Sequence, residues 1–178
     1  MLSTIVVCDD RRAIPPGRES ARVLSRTLAS LVTAKVEGLL GDVQIAGPSG
    51  EGLRALANHA GCDLIEADNE ADWLAATLQA ARGPEVFLLR CGLAPEAGFI
   101  EETRDFLASG NNKDRPLAAC LRCVPETFFE RLFPGLAPVA GIVATRELML
   151  RAPRGGFASL TSFIAPATTF HARARRIR

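Results

Sequence analysis

The sequence predicts a single α/β domain with a mostly parallel sheet flanked by helices on both faces. Short apolar β runs alternate with segments of helical spacing along the first hundred residues. The first three of these segments already form a strand, helix, strand unit, which in this order builds parallel pairing through a crossover. At 178 residues, 48% hydrophobic and 23% charged, the chain is long enough for one well-packed core and is neither disordered nor fibrous in composition.

Each element follows from the pattern. Thr4 to Cys8 is a buried-strand run, and Glu19 to Leu40 carries Val23, Leu24, Leu28, Leu31, Val32, Val36 and Leu39 at helical spacing. Asp42 to Ala46 is a second strand, followed by a turn over Gly47 to Gly52 and a short helix over Leu53 to Ala60. Cys62 to Glu66 reads as a third strand, Glu70 to Ala81 as a helix and Val86 to Leu89 as a fourth strand. A helix from Glu96 to Leu107 precedes a polar break at Ser109 to Arg115. Beyond it, Leu117 to Val124 is strand-like, Pro125 to Phe133 helical and Val139 to Ala144 strand-like, with a helical turn or two over Arg146 to Leu150.

Charge and composition exclude several classes. The net charge of +1 gives no global reason to expect nucleic acid, and no recognised binding module is visible, so a nucleic-acid partner is not expected. The absence of an 18-residue apolar run and the early Asp9 and Asp10 speak against a membrane span and a signal peptide, which predicts a cytoplasmic protein. Five cysteines form no disulfide framework, and the one CxxC, Cys120 to Cys123, has neither a second pair nor a nearby histidine. They read as small core residues. His59 and His171, the only histidines, fit no nucleophilic triad, and Trp73 sits at core spacing beside Leu74 and Leu78. With no tyrosine and 6% aromatics, a sugar-stacking platform is disfavoured.

Two loops are candidate ligand sites. The fourth strand ends in Arg90-Cys91-Gly92 before a Pro95-led segment, and in α/β folds ligands sit outside the carboxyl ends of strands. Gly47-Pro48-Ser49-Gly50 could present backbone amides to an anion, although no Gly-Lys-Ser/Thr follows and a plain turn is the competing reading.

Several strings, in this order, resemble small bacterial members of the family 2 glycosyltransferases. They are Ala34-Lys35-Val36-Glu37-Gly38-Leu39, Ala80-Ala81-Arg82-Gly83, Phe87-Leu88, Leu93 to Phe99, Ala140 to Leu148 and Gly155-Gly156-Phe157. The resemblance covers residues 1 to 157 and implies a Rossmann-like glycosyltransferase A domain there, leaving 158 to 178 as a basic C-terminal tail. It also implies three acidic functions that this chain lacks. Where the family's second strand delivers an aspartate to the nucleotide, Ile45-Ala46 runs into Gly47-Pro48. Where the family holds a divalent ion with two carboxylates around one residue, Leu89, Arg90 and Cys91 stand. Where an acid follows Gly-Gly-Phe as general base, Ala158 to Ser162 has none.

The resemblance and its departures together predict a catalytically degenerate, glycosyltransferase-like protein that binds a nucleotide-type ligand or a protein partner. No divalent metal is expected. The alternative is an active, metal-independent transferase that uses a nucleotide sugar and relies on Arg90, Asp9 and Asp10. A fixed guanidinium can neutralise a diphosphate bidentately, although Arg90 could equally cap the sheet end by pairing with Glu96 or another acid. The candidate ligand-binding residues are therefore Asp9, Asp10, Gly47, Ser49, Gly50, Arg90 and Cys91. After Glu147 there is no acidic residue, and Arg173, Arg175, Arg176 and Arg178 interleave with Phe170 and Ile177. This tail reads either as a weak contact with an anionic membrane surface or as a solvated end.

Overall fold

The computed structural model describes residues 1–8, 18–49, 53–109, 117–165 and 167–177, with the backbone alone at 18–20. In chain order the elements are β1 (Leu2–Val7), α1 (Arg18–Ser30), α2 (Val32–Val36), β2 (Leu40–Pro48), α3 (Leu53–Ala60) and β3 (Asp63–Ala67). They continue as α4 (Glu70–Ala80), β4 (Glu85–Arg90), β5 (Leu93–Pro95), α5 (Phe99–Ala108), β6 (Ala118–Cys123) and α6 (Phe128–Leu132). A 3₁₀ turn (Pro134–Leu136), β7 (Val139–Thr145), α7 (Arg146–Leu150), α8 (Phe157–Ile164) and β8 (Thr168–Arg176) complete them.

The strands form one sheet in the order β3-β2-β1-β4-β7-β6-β8-β5. β3, β2, β1 and β4 run parallel, β7 is antiparallel to both β4 and β6, and β8 lies parallel to β6 and antiparallel to β5. β1 is buried at every position because helices cover both faces, as a central parallel strand requires. Its side chains alternate between two cores. Leu2 and Val6 pack with Leu24, Phe87 and Phe99 on one face; Ile5 and Val7 pack with Trp73, Leu78 and Phe157 on the other. Ser3 pins its start: the buried hydroxyl donates to Asp42 Oδ1 (2.6 Å) and accepts from the Gly83 N–H (2.7 Å).

The long helix expected over Glu19 to Leu40 is instead two helices. The chain breaks at Leu31, whose side chain is buried, and Gly38 at φ +75° reverses it so that β2 begins at Leu40. β5 and β8 were not expected, and neither was α8. The segment read as a basic tail supplies both of the latter. Phe170, Ala172 and Ala174 alternate inward from β8 into the first core, where Phe170 meets the rings of Phe99 and Phe106 edge-on. A bulge in β8 shifts its register with β6 between Cys120 and Arg122. Glu102 of α5 takes up amides beside this irregularity, accepting from the N–H groups of His171 (2.7 Å) and Ala172 (2.9 Å). Among the described residues no helix is long and apolar enough to cross a membrane.

Candidate functional site

Strand order reverses at β1: β2 and β3 extend to one side and β4 to the other. The crevice outside the carboxyl ends of β1 and β4 is therefore the place where an open α/β sheet receives ligands. Arg90, the last residue of β4, is the register partner of Val7 at that point. The Cys91 N–H donates to the Val7 carbonyl (2.8 Å), carrying the turn after β4 across the top of β1. Thr27, fully buried on α1, donates to the Val23 carbonyl (3.0 Å) and accepts from the Gly92 N–H (3.0 Å). Gly92 holds φ +85°, a conformation that side chains resist, and its carbonyl accepts from the Ile177 N–H (2.8 Å). The turn bearing Arg90 and Cys91 is thus tied to α1, to β1 and to the end of β8.

These ties enclose a cavity of about 240 Å³ lined by Arg90, Cys91, Leu93, Cys123, Pro138 and Arg176, among others. Arg90 and Arg176 come from residues far apart in the chain and reach one place because β4, β6 and β8 all end at this edge. Cys123 reports their approach. Burial pushes its thiol up from the ordinary value, and the positive charges of Arg176 and Arg90 pull it part of the way back. Arg176 also meets Glu126 (3.3 Å), and the Arg90 guanidinium stands 5.7 Å from the ring centre of Phe157. A larger groove of about 620 Å³ opens at the opposite end of the sheet, beside the starts of β2 and β3, away from the carboxyl edge.

Of the residues expected at a site, Arg90 and Cys91 line the cavity. Gly47 is a buried position of β2 in register with Glu66, and Ser49 lies exposed in the turn that follows. An added Cβ at Gly47 would fall 2.9 Å from Leu53 and 3.0 Å from the Cys8 side chain, so packing accounts for this glycine. Asp9, Asp10 and Gly50 lie outside the described residues. Cys120 and Cys123 belong to opposite cores, because residues three apart on a strand face opposite ways. The CxxC therefore cannot close on one ion from one face.

The donor set at the end of β4 does not fit a divalent cation. Hard cations take oxygen ligands, whereas Leu89, Arg90 and Cys91 offer aliphatic, guanidinium and thiol groups. Among the described residues no group of three or more His, Cys, Asp or Glu could hold a metal ion.

Sequence reasoning missed two residues. Arg176 had a signal, since Phe170, Ala172 and Ala174 alternate with polar positions in the manner of a half-buried strand. Glu70 had none. The sequence has no acid after Gly-Gly-Phe, but Glu70, at the start of α4, brings its carboxylate to that turn and accepts from the Phe157 N–H at 2.6 Å. An anion there also complements the N-terminus of α8. Glu70→Ala is expected to lower unfolding stability by about 1–2 kcal/mol in urea titrations. A Cβ at Gly156 would lie 2.2 Å from the Glu70 carboxyl carbon, so Gly156→Ala should cost less in the Glu70→Ala background than in the native protein.

The topology and the crevice together define an α/β fold of the glycosyltransferase A type. Solved structures of distant sequence share it. The chain superposes over 99% of its length on glucosyl-3-phosphoglycerate synthase from Mycobacterium tuberculosis in complex with Mn²⁺, uridine diphosphate and glucosyl-3-phosphoglycerate. That match has a TM-score of 0.63 at 14% identity and covers 72% of the synthase chain. Mannosyl-3-phosphoglycerate synthase from Rubrobacter xylanophilus matches with a TM-score of 0.62 at 15% identity, over 99% of this chain and 67% of the other. The bifunctional IspDF from Campylobacter jejuni gives 0.54 at 12% identity, over 95% and 48%. No protein-family model and no curated protein matches the sequence.

Proposed function

We propose that this protein binds a nucleoside diphosphate, or the diphosphate of a nucleotide sugar, without a divalent metal, and that as a transferase it is degenerate. One observation carries the reading: two guanidinium groups, Arg90 and Arg176, line a single cavity at the carboxyl edge of the sheet, where β4, β6 and β8 end. Guanidinium forks match phosphate geometry and stay charged at all physiological pH values, so they can neutralise a diphosphate where oxygen ligands for an ion are missing. Solved structures sharing the fold hold uridine diphosphate together with Mn²⁺. Here the protein itself supplies the positive charge.

The experiment is a thermal-shift series with UDP, GDP and their sugars in chelator. Stabilisation by at least one of them is expected, since a ligand that binds only the native state raises the midpoint by mass action. No shift with any nucleotide would count against the reading and favour a protein partner instead.

A second reading, an active metal-independent transferase, is supported by Glu70. Its carboxylate lies at the Gly-Gly-Phe turn, where the resemblance implies an acceptor-side base, although Phe157 N–H already occupies one oxygen. Turnover of a nucleotide sugar that is lost in Glu70→Gln, with nucleotide binding intact, would establish it.

A further inference from the structure

Beside the cavity stands a surface that the nucleotide-binding reading does not use. α6 has no buried residue, and Phe128, Phe129, Leu132 and Phe133, with Leu136 of the following 3₁₀ turn, are between 54% and 74% exposed. Five large apolar side chains on a nine-residue stretch form a contiguous patch, and such patches mark interaction sites. The helix is not frayed. Thr127 and Glu130 make a reciprocal capping box, and Phe128 and Phe129 meet edge-on with ring centres 6.0 Å apart. The patch is therefore a fixed apolar surface, interrupted on α6 by Glu130 and Arg131.

Its position is tied to the cavity. The Val124 N–H donates to the Ala174 carbonyl of β8 (2.9 Å), and Glu126 pairs with the cavity-lining Arg176. Pro138, just past the 3₁₀ turn, is itself a wall of the cavity. This end of the sheet carries Arg122, Arg131, Arg173, Arg175 and Arg176 against Glu96, Glu126 and Glu130. Glu126 is engaged with Arg176, and Glu130 with the backbone amides of Glu126 (2.9 Å) and Thr127. Arg122 and Arg173 are register partners on neighbouring strands, an adjacency of like charges that an external anion would relieve.

We propose that this protrusion inserts into the headgroup region of an anionic lipid bilayer, which holds the mouth of the Arg90–Arg176 cavity close to the membrane surface. Aromatic and leucine side chains with flanking arginines are the composition of an interfacial anchor. A protruding knob fits a deformable surface better than a flat protein face. Its exposed apolar area is roughly 600 Å², taking 150–250 Å² for each large side chain. A second copy would set the flanking arginines against their own counterparts, whereas an anionic headgroup layer pairs with them. Membrane contact through this patch does not require nucleotide binding.

The test is co-sedimentation with vesicles of phosphatidylcholine alone and of phosphatidylcholine mixed with phosphatidylglycerol. The protein is expected on the anionic vesicles, less so as salt rises, and only sparingly on the neutral ones. The double variant Phe128→Ser/Phe129→Ser, with its melting temperature unchanged, should lose about tenfold or more in vesicle affinity. Absence of binding to anionic vesicles, or binding indifferent to the double serine variant, would overturn the proposal. So would a dimer in sedimentation velocity that dissociates in that variant, which would make the patch an interface between copies.

Discussion

Phe87→Ala is expected to lower the free energy of unfolding by about 3–5 kcal/mol, the largest loss among the substitutions considered. Phe87 is fully buried at the centre of β4, and its ring lies 4.7 Å from that of Phe99, centre to centre. The neighbouring strand is shaped around it. A Cβ at Gly141 of β7 would stand 2.8 Å from the Phe87 ring and 2.6 Å from the Leu88 carbonyl, so glycine at that position lets the ring lie against the backbone. Truncation leaves a void that a sheet hydrogen-bonded on both sides of β4 cannot close. Small domains are stable by only about 5–15 kcal/mol, so the loss is a large fraction of the total. Urea titration should show a lower midpoint with an unchanged slope. A loss below about 1 kcal/mol would mean that β4 is not the spine of the sheet, and the placement of Arg90 would fail with it.

The second large effect concerns ligand affinity. Arg90→Ala and Arg176→Ala should each weaken nucleoside diphosphate binding by about ten- to a hundredfold, because a hydrogen bond to a charged group contributes about 1.5–3 kcal/mol. Lysine at either position should restore the charge but not the bidentate geometry, and so recover only part of the affinity. Neither substitution removes a core side chain: Arg90→Ala loses the contact with the Phe157 ring and Arg176→Ala the exposed pair with Glu126. Stability should therefore change by no more than about 1 kcal/mol. Separating affinity from stability in this way distinguishes a ligand-binding arginine from one that merely caps the sheet.

The four parallel strands were legible in the sequence because each is an apolar run of strand length, followed by a helix of matching period. β5 was not legible: three residues, Leu93 to Pro95, carry no period. β8 was legible in principle, but two of its three inward positions are alanines, whose weak apolar signal the interleaved arginines outweigh. Arg90 could be singled out because position alone, at the end of a buried strand, marks a ligand edge. For Arg176 the alternation of β8 marks the strand, but its approach to Arg90 depends on β8 pairing with β6, a contact between distant parts of the chain. Glu70 is further still from its partner, 87 residues before Phe157, and no local pattern announces a carboxylate delivered across that interval. Pro125 to Phe133 was readable as helical, but only the fold reveals that, among the described residues, nothing covers the apolar side chains from Phe128 to Leu136.

The most direct test of the central claim is calorimetric titration of the native protein and Arg90→Ala with the best-stabilising nucleotide, in chelator and again in Mn²⁺. Binding by the native protein is expected in chelator, with little gain from the metal and a loss of about tenfold or more in Arg90→Ala. Binding that appears only when Mn²⁺ is present, or that Arg90→Ala leaves intact, would contradict it.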